Sequence, residues 1–215
     1  MKGDEPVYTL SVPFMLSQIR DYGIRPFIDS LREVGADTVF LALDCYETDP
    51  TKQETVFASL RENVSVLQEA GFTVGVWVWT FMIRDANTYT HITSPAGKVS
   101  KEQVCPSDAD FCTFAHTYMR RIAESRPDII LFDDDFRYGF LDCGLGCLCP
   151  NHRARIQQIL GGEELPADLT PYLFSGGKNP YRSAYLQANG EFFRAFARGS
   201  RAAVDAVDPS IRLGL

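Results

Sequence analysis

No stretch of this 215-residue chain approaches the roughly 18 consecutive uncharged apolar residues that a membrane-spanning helix needs. Positive charge is in short supply as well: 21 Lys and Arg stand against 28 Asp and Glu, a net charge of −7. No basic cluster stands out, and phosphate backbones are held by neutralising cations, so nucleic acid is excluded as an expected partner. A neutral ligand such as a sugar is compatible with this acidic surface. Histidine is scarce, with three in all, which argues against sites built on several imidazoles. No GxGxxG follows the first expected strand, and no Gly-Xaa-Ser-Xaa-Gly or Ser/His/Asp arrangement occurs. These absences remove the dinucleotide fingerprint and the hydrolase nucleophile elbow. Internal repeats and low-complexity linkers are missing too. Met1 to Pro6 is short and charged with no apolar run behind it, so no secretory signal is expected and the expected location is cytoplasmic.

What is present is an alternation of short apolar strands with amphipathic helices. Val7 to Val12 reads as a strand closed by Pro13, and Gln18 to Val34 as a helix with a break near Gly23 to Pro26. Thr38 to Leu43 is an almost unbroken apolar run, as expected of a strand buried on both faces. A helix over Glu54 to Ala70, a strand over Phe72 to Trp79 and a polar loop from about Ile83 to Pro106 come next. Phe111 to Ser125 is the following helix and Asp128 to Phe132 the fourth strand. A helix over Asn151 to Leu160 and a Gly/Pro-rich loop, Gly161 to Pro180, lead to a long helix from Ser183 to Val207. Ile211 to Leu215 then begins a fifth strand.

Such alternation predicts an α/β chain with a parallel sheet. Polar and aromatic residues gather at the strands' C-terminal ends, at Asp44-Cys-Tyr46, Trp79-Thr-Phe81 and Asp133-Asp-Asp135. That is the edge where barrel enzymes build their sites, and it favours a (β/α)8 TIM-barrel type over an open sheet. A full barrel takes about 250 residues. The expectation is therefore that residues 1–215 form its N-terminal part, about four and a half βα units, truncated at strand five. The open edges of a part-barrel are expected to associate, with a homo-oligomer as one outcome.

Asp133, Asp134 and Asp135 close an apolar strand, so alternation turns at least one towards the mouth. Like charges this close raise at least one pKa, which suits a proton donor. Hard oxygen ligands also suit magnesium, manganese or calcium, and helix capping or loop hydrogen bonding is the bland alternative. The run Cys147-Leu-Cys149-Pro-Asn-His152 offers three soft ligands in six residues. A fourth, from Cys105 or Cys143, would close a tetrahedral structural zinc site, against the alternative of reduced loop cysteines beside a surface histidine. Trp77 and Trp79 share one face of their strand and are either core residues or platforms for sugar rings. His116, inside a helix, reads as structural, and Cys112 as core.

Cys105-Pro-Ser-Asp-Ala-Asp-Phe111, the strand ending Phe-Asp-Asp-Asp-Phe136 and the Cys147 to His152 run together resemble the zinc-containing β-galactosidases of glycoside hydrolase family forty-two and their barrel relatives. The match in order and spacing covers about Gly71 to Leu215; residues 1–70 match only as generic βα units. The resemblance implies a glycosidase that uses two carboxylates. Asp135 takes the place of the general acid/base Glu, Asp134 that of the preceding Asn, and Asp133 that of the Asp before it. Cys105, Cys147 and Cys149 take the first three zinc positions, and His152 stands where the family has a fourth Cys. Asp133, Asp134, Trp79 and Tyr46 are the expected contacts to a carbohydrate substrate. The second carboxylate is expected near strand seven, which this chain does not reach. A divalent-metal-dependent hydrolase using the Asp triplet and a non-catalytic carbohydrate-binding barrel are the alternatives.

Overall fold

The computed structural model describes residues 9–83, 88–134, 136–139, 143–144 and 146–215. Five strands form one sheet in the order β1 (Ser11–Met15), β2 (Thr38–Ala42), β3 (Thr73–Val78), β6 (Ile129–Phe132), β7 (Arg212–Gly214), and every neighbouring pair is parallel. The two remaining strands, β4 (His91–Thr93) and β5 (Val99–Val104), make an antiparallel hairpin. The helices are α1 (Leu16–Tyr22), α2 (Ile24–Glu33), α3 (Pro50–Glu69), α4 (Ala109–Ala123), α5 (Pro150–Ile159), α6 (Thr170–Phe174) and α7 (Pro180–Asp205). Among the described residues no helix is long and apolar enough to cross a membrane.

Parallel strands impose one polarity, so the C-terminal ends at Met15, Ala42, Val78, Phe132 and Gly214 share an edge. Alternation then divides the side chains between two faces. Val39, Leu41, Val74, Val76, Val78, Ile130 and Phe132 are buried against Phe27 and Leu31 of α2, Phe57, Leu60, Val64 and Leu67 of α3, Met119 and Ile122 of α4, and Phe196 and Val204 of α7. The other face is arranged in register layers: Pro13, Phe40, Gly75, Ile129 and Arg212, then Met15, Ala42, Trp77, Leu131 and Gly214. Gly75 leaves the space that the Phe40 ring occupies; a Cβ there would overlap the ring.

Several boundaries differ from the sequence expectation. The first strand lies over Ser11–Met15 rather than Val7 to Val12, with Pro13 inside it. Residues 1–8 lie outside the described part. Proline lacks the N–H that a central strand must donate, but within the described sheet β1 pairs on one side only, where that loss is tolerated. The stretch expected to be a polar loop from Ile83 to Pro106 contains the β4–β5 hairpin, closed around Ser94 to Lys98 by Ser94 N–H to Lys98 O at 2.7 Å. The expected loop Gly161 to Pro180 contains α6. Helices α3 and α7 begin at Pro50 and Pro180, earlier than expected, because Asp49 and Asn179 cap them and proline is favoured at the first helical position. The expected break at Gly23 is where α1 gives way to α2.

Helix α7 packs on α4, with Phe111 and Phe196 stacked at 6.1 Å, and comes closest at His116. His116 is half-buried, its Nε2 is 3.1 Å from the Phe196 carbonyl oxygen, and its ring covers Gly199. Burial holds its pKa below the ordinary histidine value. The expected structural role of His116 agrees with this packing. A methyl at residue 199 would overlap the ring. Overpacking costs about 1–3 kcal/mol, more than the helix propensity of about 1 kcal/mol gained on leaving glycine. Gly199→Ala is therefore expected to lower the denaturant midpoint, and His116→Ala combined with Gly199→Ala to recover part of the loss.

Candidate functional site

Two constellations lie along the C-terminal edge of the sheet. The first follows β6. Asp133 N–H continues the ladder to Val78 O at 3.0 Å, and the Asp133 carboxylate accepts Asp134 N–H at 2.7 Å. Asp133 is thereby half-buried and held, while the Asp134 side chain is 78% exposed and stands 3.5 Å from Arg137. Asp133, Asp134, Trp77, Leu131, Phe136 and Leu215 line a cavity of about 310 Å³. It has an apolar, aromatic wall and an acidic lip. Asp135, the expected acid/base, lies outside the described residues.

The expected sugar contacts are not all brought together. Trp77 lines this cavity with Asp133 and Asp134, whereas Trp79, one residue beyond β3, is half-buried and is not among its lining residues. Tyr46 lies elsewhere. Its ring is buried in edge-on contact with Phe111, Phe114 and Tyr118, at centroid separations of 6.0, 5.7 and 5.0 Å. Tyr46 also borders a second cavity of about 420 Å³ at the end of β2, along with Asp44, Cys45, Glu47, Arg20 and Lys52.

The second constellation joins the hairpin to the loop before α5. Cys105 follows β5, Cys147 and Cys149 precede α5, and His152 sits in its first turn; all four are buried. Backbone bonds hold each part: Cys105 N–H donates to Thr90 O at 2.8 Å, and Leu148 N–H to Thr93 O at 2.7 Å. Asp108 caps α4 and also accepts Thr90 N–H, anchoring the turn that carries Cys105. Cys105 Sγ is 3.7 Å from both Cys147 Sγ and Cys149 Sγ. His152 Nδ1 is 3.5 Å from Cys105 Sγ and 3.3 Å from Cys149 Sγ. A tetrahedron with metal–sulfur bonds of about 2.3 Å and metal–nitrogen bonds of about 2.05 Å puts sulfurs about 3.8 Å apart and nitrogen about 3.6 Å from sulfur. The observed separations fit those edges, so this group can hold a metal ion.

Cys143 is not a member of the group. Its thiol points to backbone carbonyls instead, at 3.3 Å from Lys98 O. Burial raises the Cys105 pKa and pushes Cys147 up to about 12, whereas hydrogen bonds from Cys105 and Cys147 hold Cys149 low. A bound dication would favour the deprotonated form of all three cysteines. No sequence signal indicated that His152 would present Nδ1 to the cysteines, or that Ser107 would reach two of them.

Neither a protein-family model nor a curated protein matches the sequence. Solved structures do match. The beta-galactosidase from the psychrophilic Marinomonas ef1 superposes with a TM-score of 0.70 at 12% identity, over 96% of this chain and 36% of that one. A beta-N-acetylhexosaminidase matches with a TM-score of 0.49 at 14% identity, over 98% of this chain and 46% of that one. For the alpha-N-acetylgalactosaminidase NagBb from Bifidobacterium bifidum the values are 0.42 and 14%, over 89% and 34%. The chain spans little more than a third of the galactosidase it matches, and over that length the two share a fold.

Proposed function

We propose that residues 1–215 are the N-terminal part of a (β/α)8 barrel that hydrolyses O-glycosidic bonds, of the kind found in the zinc-containing galactosidases. One observation supports this reading: a fold shared with a beta-galactosidase over 96% of the chain, together with Asp133 and Asp134 at the C-terminal end of a parallel strand, beside an aromatic-walled cavity. Asp135 is the proposed general acid/base. Its carboxyl gives a proton to the glycosidic oxygen as the bond to the anomeric carbon breaks, and the sugar alcohol leaves. A second carboxylate, from a later strand of the complete protein, attacks the anomeric carbon or activates the water that does so. Asp133 and Asp134 bind sugar hydroxyls, and Trp77 offers its face to the apolar side of the ring. Trp79, half-buried just beyond β3, keeps the proposed role of a substrate contact, whereas the buried Tyr46 ring serves packing against Phe111, Phe114 and Tyr118.

Zinc is the proposed occupant of Cys105, Cys147, Cys149 and His152. When bound there it supplies a closed tetrahedral clip and no open coordination position for chemistry. Its place in the scheme is structural: it ties the hairpin to the loop that follows the Asp run.

Two outcomes check this reading. In the complete protein, Asp135→Asn is expected to lower turnover of its best nitrophenyl glycoside about 100- to 10,000-fold, and turnover equal to that of the parent would sink the assignment. Binding of sugars without any turnover by the parent would favour a non-catalytic barrel. Elemental analysis of the purified chain is expected to find about one zinc per chain, and none in Cys147→Ser, with unfolding at a lower temperature.

A further inference from the structure

The surroundings of the Cys105, Cys147, Cys149 and His152 cluster pose a charge problem. Three thiolates around a dication leave a net negative charge, and the packing about it is apolar: Ile92, Tyr138 and Phe193. His152 gives no outlet, since its Nε2 is buried with no hydrogen-bond partner among the described residues. The imidazole instead lies edge-on to the Tyr138 ring at 4.9 Å and beside Phe192 at 4.8 Å. A metal-bound histidine ordinarily passes its second N–H to a carboxylate, a carbonyl or water. Among the described residues, that partner is missing here.

One side chain from outside the ligand set reaches the sulfurs. Ser107 Oγ donates to Cys105 Sγ at 3.0 Å and lies 3.4 Å from Cys149 Sγ. A metal-bound thiolate carries no proton, so with metal in place the single Ser107 hydroxyl proton is shared between the two sulfurs. Its own position is held from the other side of the centre, because Asn151 Nδ2 in α5 donates to Ser107 O at 3.2 Å. The Ser107 turn is therefore clasped by the same two chain segments that the metal would join.

We propose that Ser107 is a positioning residue of the metal centre. Its hydroxyl proton stabilises charge on Cys105 and Cys149 and holds both sulfurs at tetrahedral spacing before metal arrives. The inference rests on the metal reading of the cluster. It follows that removing the hydroxyl weakens metal binding and leaves the thiolates richer in electrons, while a threonine, which keeps the hydroxyl, preserves both properties. A loss of outer-shell partners of this kind weakens metal affinity about 10- to 100-fold.

The test titrates the chain, stripped of metal, with cobalt(II) and zinc, using the parent, Ser107→Ala and Ser107→Thr. Zinc affinity is read by competition with a chromophoric chelator, and the sulfur-to-cobalt charge-transfer band by absorption. Expected are a 10- to 100-fold weaker zinc affinity and a red-shifted band for Ser107→Ala, with Ser107→Thr close to the parent in both. Ser107→Ala that matches the parent in affinity and band overturns the role of Ser107 and leaves the metal centre standing. A parent that takes up neither metal overturns both. If Ser107→Ala does not fold with saturating zinc, as seen by circular dichroism, Ser107→Thr decides alone: a band and affinity displaced from the parent's overturn the proposal.

Discussion

Three thiols and an imidazole nitrogen, closed off from water, converge from segments of chain 42 and more residues apart. Neutral thiols can be buried at little cost, but they have no reason to converge at tetrahedral spacing. In the proposed reading the dication is that reason, and its binding free energy becomes folding free energy for the loops it joins. Cys105 follows the hairpin, and Cys147 and Cys149 directly precede α5. With the metal of the proposed reading bound, the cluster would tie the end of β5 to the segment just before α5.

The sheet supplies the second constraint. All of its paired strands run the same way, so their C-terminal ends form one rim, and residues just beyond β2, β3 and β6 are neighbours although far apart in sequence. One face is sealed by Val, Ile, Leu and Phe side chains beneath α2, α3, α4 and α7. The layered face, with Phe40 over Gly75 and Trp77 beside Leu131, is less closed and gives the Asp133 cavity its apolar wall. A carboxylate lip against an aromatic wall matches the two-sided character of a sugar, with its hydroxyls and its apolar ring face.

Much of this was legible in the residues. Continuous apolar runs marked β2, β3 and β6, although the second face of β3 and β6 is only partly covered. Gly23 marked the break between α1 and α2, and CxCxxH spacing marked three residues of the group that can hold a metal. The misplacements have local causes. Pro13 looked like a strand terminator, yet an edge strand has a side where its missing N–H goes unused. The β4–β5 hairpin is short and largely polar, so no run of apolar residues announced it. Pro50 and Pro180 start their helices, where they resemble the end of a loop.

Sequence alone determined the main strands and helices, though not the β4–β5 hairpin or α6. It also determined the parallel character of the main sheet and the chemistry available to it: an Asp run after an apolar strand, and a soft-ligand run before a helix. Each of these is a matter of periodicity and spacing, which are local. Tertiary structure decided which distant residues meet. It brought Cys105 rather than Cys143 to Cys147, Cys149 and His152, placed Trp77 rather than Trp79 in the cavity with Asp133 and Asp134, and buried Tyr46 among Phe111, Phe114 and Tyr118. Those outcomes depend on strand register and on how the hairpin docks against the loop before α5, and such long-range geometry leaves no periodic trace in the chain.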